Sequence, residues 1–224
     1  MRFCPFAQRT LLTLLVKEIP CEIVNVDLKR KADWFLAKNP LGKAPTLELD
    51  DRVVFESSIC NEWLDDNFPS CRILPTDREA IALQKMRAAV LFQLQEALYR
   101  WLDDQANPKA IRKLAKGLEL HEKHLSVNLF LTGSTCGYVD YMQWPWIERL
   151  YGFGQLGVFG ADTTKSLRID ASQYPKLTAY VSRMQERWEV RACFLPPEMH
   201  LGFITSLINK EPDFNLGLTP PNKL

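Results

Sequence analysis

Two prolines near residue 70 set the limits within which this chain can fold. The segment that contains them, NFPSCRILPTDREA, has Pro69 and Pro75. A proline inside a helix removes one backbone hydrogen bond and clashes with the preceding turn, so no helix can run through this segment. The residue pattern also changes here, from mixed to helical. We therefore predict two domains, residues 1–68 and 77–224, and a linker over 69–76.

The first domain is predicted to mix helices and strands. An apolar run indicates a helix from about Pro5 to Lys17, and a shorter helical piece lies around Trp34. Residues Cys21 to Leu28 form a β-rich run. Two further apolar runs, Thr46 to Leu49 and Val53 to Phe55, are separated by a charged turn and predict a hairpin. This half is therefore of α/β type.

Beyond residue 76, apolar residues recur at the helical period, which predicts an all-helical second domain. Two stripes at this spacing are assigned to its core: Leu83, Met86, Val90 and Leu94 in one, and Leu177, Tyr180, Val181, Met184 and Trp188 in the other. Trp144 and Trp146 are also expected to pack in the core or between the domains, because large aromatic side chains dominate such packing.

The composition excludes several classes of partner. The 224 residues carry a formal net charge of +1. No face or tail gathers lysine and arginine as a phosphate backbone requires, so we expect no nucleic-acid partner. No apolar run approaches the roughly 20 residues that span a bilayer, and the first residues lack the apolar stretch of a secretion signal. We expect a cytoplasmic protein without a membrane span.

The spacing of cysteines and histidines gives no sign of a metal site. Six cysteines are scattered without a CxxC pair, so neither a zinc knuckle nor a dithiol redox loop is expected. His121 and His124 are three residues apart, whereas the HExxH zinc motif places its histidines four apart with a glutamate between them. We predict surface positions for both histidines, buried positions for most cysteines, and no bound metal.

Four short motifs follow one another in the order and at the spacing found in one protein family. They are Cys4-Pro5-Phe6, Asn39-Pro40-Leu41-Gly42, Glu56-Ser57, and WPWIERL at residues 144–150. With these motifs the chain resembles the glutathione transferases, most closely their omega class, over nearly its whole length. The resemblance implies a thioredoxin-like first domain, an all-helical second domain and a homodimer. The family places an interior strand ahead of the cysteine, but only three residues precede Cys4, so we expect this strand to be missing.

Cys4 is the candidate catalytic residue, and its place supports that role on chemical grounds. Pro5 suits the first position of a helix, where no backbone N–H is needed, which puts Cys4 at the N-cap. Unpaired N–H groups and the helix dipole favour a thiolate there, so we expect a pKa below the roughly 8.5 of a free thiol. Residue 7 is alanine, so no resolving cysteine lies in the same turn. The expected partner of the sulfur is an external thiol such as glutathione.

The resemblance implies a glutathione site built from six positions besides the cysteine: Phe6, Lys31, Ala44, Pro45, Glu56 and Ser57. Glu56 and Ser57 take the ammonium and the carboxylate of the γ-glutamyl group. The backbone of Ala44, ahead of a cis Pro45, pairs with the cysteinyl part, and Lys31 approaches the glycine carboxylate. Without the resemblance, Ser57 reads as an ordinary helix cap and Lys31 as part of a solvated charge run.

The resemblance also suggests neighbours for the sulfur and for a second substrate. Phe6 is expected to pack beside the sulfur. Arg149 and His200 are candidates to line an open second-substrate site between the domains. Neither assignment follows from the residue types alone.

The function that the resemblance implies is redox chemistry with glutathione as co-substrate, because a cysteine can itself bond to glutathione. The expected activities are thiol transfer, dehydroascorbate reduction and reduction of methylated arsenic acids, with weak conjugation of aromatic halides. Two alternatives remain: a chloride intracellular channel-like regulatory protein, which shares a similar CPF cysteine, and a non-catalytic binding relative. The WPWIERL segment favours the omega class over the first, and intact Cys4, Lys31, Glu56 and Ser57 argue against the second.

Overall fold

The computed structural model of the protein describes residues 2–105, 107–158 and 167–218. Its first half contains α1 (Pro5–Val16), α2 (Asp33–Lys38), β1 (Thr46–Leu49), β2 (Arg52–Phe55) and α3 (Ser57–Asn67). The second half contains α4 (Arg78–Leu91), α5 (Gln93–Asp103), α6 (Pro108–Leu125), α7 (Tyr138–Gln155), α8 (Pro175–Glu186), α9 (Trp188–Ala192) and α10 (Pro197–Ile208). The predicted order, an α/β half followed by a helical half, is confirmed.

The sheet is smaller than the sequence predicts. Strands β1 and β2 form the predicted antiparallel hairpin, with Thr46 opposite Phe55, and over the described ranges they pair only with each other. The β-rich run at Cys21–Leu28 is not a strand, so that prediction is wrong. A strand requires a neighbouring strand for its backbone N–H and C=O groups, and the strands in the described part of the chain, β1 and β2, pair with each other and not with this run. Residues 2 and 3 form a turn, as expected for a chain without the first strand.

Helix α7 is the centre of the molecule. Every residue from 138 to 150 is buried, and the helix packs against α1, α4, α8 and α10. Trp144 and Trp146 are buried in this core, as predicted. The carboxylate of Asp140 accepts the N–H groups of Leu131 at 2.7 Å and Gly137 at 3.0 Å, which fixes the start of the helix.

The first of the two predicted core stripes is largely exposed. Leu83, Met86 and Val90 of α4 are 49%, 58% and 44% exposed, while Leu94 of α5 is buried. Helix α4 instead buries Ala88 and Leu91. The helix has apolar residues on more than one face, and periodicity does not say which of them packs inward.

The second stripe is mostly confirmed. Its first four residues are buried in the core: Leu177, Tyr180, Val181 and Met184. Trp188 is 47% exposed, because α8 ends at Glu186 and Trp188 begins a separate helix with a new direction. The helical period of α8 does not extend across this break, so the prediction that Trp188 lies in the core is wrong.

His121 and His124 of α6 were predicted to be surface residues, and this prediction is wrong. His121 is fully buried, and its Nδ1 lies 2.7 Å from the carbonyl oxygen of Gly117, one turn earlier. Burial lowers the pKa of His121 to about 4, so the ring is neutral at physiological pH. His124 is half-buried, with its Nε2 3.0 Å from the Leu131 carbonyl oxygen. Hydrogen bonds to these backbone carbonyls offset part of the free-energy cost of burying an imidazole.

A buried ion pair joins α1 to α3 and to the segment that follows it. The Lys17 ammonium lies 2.9 Å from the Asp65 carboxylate, and both side chains are fully buried. Lys17 also donates to the Phe68 carbonyl at 2.6 Å, and Asp65 accepts the N–H groups of Ile73 and Leu74. The pair therefore holds the proline-containing segment against the first half.

We predict that Asp65→Ala lowers the free energy of unfolding by about 3–5 kcal/mol, because it leaves the Lys17 charge buried without its counter-ion. The neighbouring Asp66 is a matched control, since its carboxylate is 75% exposed and lies 3.5 Å from Arg72. We expect Asp66→Ala to change stability by less than about 1 kcal/mol. Urea denaturation of both variants measures their free energies of unfolding. Equal losses would show that the buried Lys17–Asp65 pair stabilises the fold no more than the exposed Asp66 contact does.

Candidate functional site

Cys4 occupies the N-cap position of α1, as the sequence predicts. Its backbone is extended, with φ −72° and ψ 116°, and Pro5 is the first residue of the helix. The Ala7 N–H donates to the Cys4 sulfur at 3.5 Å. The sulfur therefore lies where the unpaired N–H groups of the first turn converge.

The expected thiolate is not the resting form of Cys4. Burial raises the pKa of the Cys4 thiol above its ordinary value, since the residue is only 8% exposed. The backbone N–H groups of Ala7 and Phe6 and the charge of Arg149 lower this pKa, but by less than burial raises it. The prediction of a lowered Cys4 pKa is therefore wrong for the free protein. It took account of the helix N-terminus, which lowers the pKa, but not of burial, which raises it by more.

The loop before β1 brings a cis proline against this sulfur. The Ala44–Pro45 peptide bond is cis, as the resemblance implies, and the Cys4 thiol donates to the Ala44 carbonyl at 3.5 Å. Buried Asn39 holds the loop: its amide donates to the Lys43 carbonyl at 3.0 Å and to the Thr46 hydroxyl at 2.9 Å. The structure thus brings the predicted residues 4, 44 and 45 together.

Lys31 lies along the same loop. Its side chain covers Gly42, and a Cβ at position 42 would come within 2.7 Å of the Lys31 Cδ and 2.9 Å of its Nζ. Gly42 also has φ +57°, and this backbone conformation is what favours glycine there, since the exposed Lys31 side chain could move aside. Lys31 is exposed, which leaves its ammonium able to reach a ligand carboxylate.

Glu56 and Ser57 form the turn from β2 into α3. Glu56 is exposed and has φ +71°, a conformation that costs a non-glycine residue free energy and is found most often at functional sites. Ser57 is buried, and its hydroxyl oxygen accepts a hydrogen bond from the Arg9 Nη1 at 3.2 Å. The two predicted residues are therefore adjacent but differ in exposure.

The sequence interpretation missed Arg9 and Tyr99. Phe6, predicted beside the sulfur, has its ring 5.0 Å from that of Trp146 and 6.4 Å from that of Tyr99. Burial, and after it the negative charge of an ionised Cys4, raises the pKa of the Tyr99 hydroxyl on α5 to about 12. Arg9 is a lone cation in the otherwise uncharged FAQRTLLTLL run. This position of Arg9 in an apolar helix could have marked it as a functional candidate, because a buried charge needs partners.

Arg149 and His200 do not line an open site. Arg149 is buried, donating to the Gln8 side chain at 2.7 Å and to the Phe3 carbonyl at 3.1 Å. Gln8 in turn donates to Glu148 at 2.6 Å. His200 is also buried, with its ring edge-on to that of Phe3. Both predictions of second-substrate contacts need correction: the two side chains support the backbone ahead of Cys4 from inside.

The described residues include neither a metal-binding cluster nor a membrane-spanning helix. No group of three or more histidine, cysteine, aspartate or glutamate side chains lies close enough to hold a metal ion there. Likewise, none of the helices in that part of the chain is long and apolar enough to cross a membrane.

Comparison with known proteins agrees with this geometry. The family model for the glutathione S-transferase N-terminal domain matches residues 3–67. Probable glutathione transferase omega-2 of Caenorhabditis briggsae is 33% identical, over 97% of this chain and 88% of that protein. Glutathione S-transferase omega-1 of Sus scrofa is 32% identical, over 95% and 86%. The structure of rice GST1 in complex with glutathione covers 94% of this chain and 95% of its own, with a TM-score of 0.81 and 26% identity. The fold class predicted from the sequence is confirmed.

We predict that alkylation of Cys4 by iodoacetamide accelerates with pH to a midpoint above that of N-acetylcysteine under the same conditions. A raised pKa keeps the thiol protonated, and only the thiolate reacts. Mass spectrometry of the peptide that carries Cys4 gives the rate, and Cys4→Ala provides the blank. A midpoint below that of the free thiol would mean that the helix terminus outweighs burial.

Proposed function

Because the chain belongs to the glutathione transferase family, in its omega class, we propose that it is a glutathione-dependent thiol transferase in which Cys4 forms a mixed disulfide with glutathione. The observation that carries this proposal is the place of the sulfur. All six cysteines lie in the described part of the chain, and Cys4 alone among them is the N-cap of a helix. It also faces the cis-proline loop.

The proposed reaction has two disulfide exchanges. In the first, the Cys4 thiolate attacks the glutathionyl sulfur of a mixed disulfide; that S–S bond breaks, and the substrate leaves as a thiol after taking up the proton that Cys4 released to solvent. In the second, a glutathione thiolate attacks the same glutathionyl sulfur, which restores Cys4 and gives oxidised glutathione. Each turnover thus consumes one free glutathione, and the oxidised glutathione combines it with the glutathionyl group taken from the substrate.

A neutral resting thiol is consistent with this reaction. A thiolate of higher pKa is less populated but intrinsically more nucleophilic, so a pKa above the ambient pH lowers the rate of attack by less than it lowers the thiolate fraction. The N–H groups of Ala7 and Phe6 and the charge of Arg149 all favour the anion once it forms. These groups are already oriented before the substrate arrives.

We further propose that glutathione lies along the edge formed by residues 31, 44 and 56–57. The exposed Glu56 carboxylate takes the ligand ammonium, and the Ser57 hydroxyl at the start of α3 takes its γ-glutamyl carboxylate. The Ala44 backbone meets the cysteinyl part, at the level where its carbonyl is 3.5 Å from the Cys4 sulfur. Lys31 reaches the glycine carboxylate.

The same cycle accommodates small oxidised substrates. Dehydroascorbate and methylated arsenic acids each take up two electrons. A first glutathione bonds to the substrate through its sulfur, Cys4 attacks that sulfur, and the reduced substrate leaves with the electron pair of the broken bond; a second glutathione then frees Cys4 and gives oxidised glutathione. The half-exposed Tyr99, near the thiol and stacked on Phe6, is our candidate to contact such substrates. The six free cysteines support a reducing compartment, and we propose the cytoplasm.

The proposal predicts that oxidised glutathione forms one adduct per chain, on Cys4. The helix N–H groups and the cis-proline loop favour a glutathionyl group at this sulfur only. Intact-mass and peptide mass spectrometry after incubation measure the site and the stoichiometry. Exposed Cys21 and Cys71 are internal controls for non-specific exchange, and adducts spread evenly over these cysteines would refute the assignment.

We also propose that the protein is a homodimer that uses the exposed apolar face of α4. Leu83, Met86 and Val90, three and four residues apart, lie along one side of that helix, and Ile59 of α3 is 52% exposed. A face of this kind is typical of an association surface. The Lys85–Glu62 ion pair at 2.8 Å joins the same two helices.

For the dimer we predict that Met86→Glu weakens association by ten-fold or more, since it places a charge in an apolar contact worth roughly 1.5–3 kcal/mol. Sedimentation velocity over a concentration series measures this. Val127→Glu is the matched control, because Val127 is 82% exposed but lies beyond the end of α6. If both variants sediment like the unaltered protein, α4 is not the interface.

A further inference from the structure

Arg9 is an unusual residue in the interior of this protein. It is only 2% exposed. Its Nε donates to the Met142 carbonyl at 2.8 Å and its Nη1 to the Ser57 hydroxyl at 3.2 Å, while its buried Nη2 has no hydrogen-bond partner among the described residues. One donor of a fully desolvated guanidinium is therefore left over, which costs free energy unless something compensates.

The surroundings of Arg9 provide aromatic faces but no anion. The guanidinium carbon lies 5.2 Å from the ring centre of Phe6, 5.0 Å from that of Phe92 and 4.4 Å from that of Trp146. Across the described ranges no carboxylate lies within ion-pair distance of it, although buried cations are normally paired. Burial lowers the pKa of Arg9 to about 9, in keeping with this lack of a counter-ion.

The contact with Ser57 has a defined direction. A guanidinium can only donate hydrogen bonds, so the Ser57 oxygen must be the acceptor. The Ser57 hydroxyl hydrogen then remains free to donate elsewhere. Ser57 is the first residue of α3, whose first N–H groups are also unpaired within the helix. The positive charge of Arg9 lies 3.2 Å from the Ser57 oxygen. This charge strengthens the attraction of the Ser57 hydroxyl and of the first α3 N–H groups for an anion.

We propose that Arg9 is a positioning residue that orients the Ser57 hydroxyl toward the γ-glutamyl carboxylate of glutathione, and that this carboxylate supplies the anion that Arg9 lacks. The inference rests on the proposed function and adds to it a determinant of selectivity. Arg9 acts through Ser57 and not at the reacting sulfur. Its loss therefore weakens recognition of the carboxylate and leaves the chemical step nearly unchanged.

The test uses Arg9→Met in the full-length chain. Methionine is of similar length and suits the aromatic surroundings, and the Met142 carbonyl keeps the Gln95 amide as a donor at 3.4 Å. Isothermal titration calorimetry compares reduced glutathione with γ-aminobutyryl-cysteinyl-glycine, which differs only in lacking the γ-glutamyl carboxylate. We expect Arg9→Met to weaken glutathione binding about ten-fold and binding of the analogue by less than about two-fold.

Two further variants separate positioning from a structural role. Arg9→Lys keeps the charge and should recover part of the lost selectivity; it also carries the test if Arg9→Met does not fold. Arg87→Met is the matched control, since within the described part of the chain Arg87 donates to the Leu131 and Thr132 carbonyls alone, and it should leave the ratio of the two affinities unchanged. In turnover, Arg9→Met should raise KM for glutathione with kcat nearly constant.

The outcomes distinguish this inference from the function beneath it. If the unaltered protein prefers glutathione to the analogue and Arg9→Met keeps the same ratio, or if Arg9→Met does not fold and Arg9→Lys keeps it, the positioning role is overturned while the function stands. If Arg9→Met weakens both ligands equally, Arg9 is structural and the inference is again overturned. If the unaltered protein binds neither ligand and Cys4 acquires no adduct, the proposed function itself fails.

Discussion

The start of α1 is fixed from inside the helical half, and the position of the Cys4 sulfur depends on that contact. Arg149 of α7 donates to the Phe3 carbonyl and to the Gln8 side chain, one residue before the cysteine and one turn after it. Because both residues flank the cap, the N-terminus of α1 cannot move without breaking buried, charge-assisted hydrogen bonds. This support compensates for the small sheet, whose two strands alone could not place the helix over the cis-proline loop.

Both buried arginines near the site give positive charge to positions where the proposed ligand is negative. Arg149 favours the anionic form of Cys4, and Arg9 lies behind the Ser57 hydroxyl. Each is desolvated, so each costs stability in the free protein and is better compensated when an anion binds or forms. A protein arranged in this way gives up part of its stability for a site that is oriented in advance.

Much of the fold and the core of the site could be predicted from local sequence. Cys4 with Pro5, the hairpin and the cis-proline loop depend on short-range chemistry, and the structure has them where the motifs place them. The predictions that were wrong concern features that depend on tertiary contacts. The run at Cys21–Leu28 has strand propensity but is not part of the described sheet, and the α4 stripe has the helical period but faces outward. The pKa of Cys4 depends on burial by residues far along the chain, and the Arg9–Ser57 contact joins helices 48 residues apart.

The most direct test of the account is steady-state reduction of a glutathione mixed disulfide by Cys4→Ala, with Cys193→Ala as the matched control. Cys193 is half-buried and accepts a weak hydrogen bond from Gln8 at 3.9 Å, so it shares the neighbourhood of the site without the helix cap. We expect a loss of about a hundred-fold or more for Cys4→Ala, because the nucleophile is gone, and near-full activity for Cys193→Ala. Undiminished turnover by Cys4→Ala would contradict it.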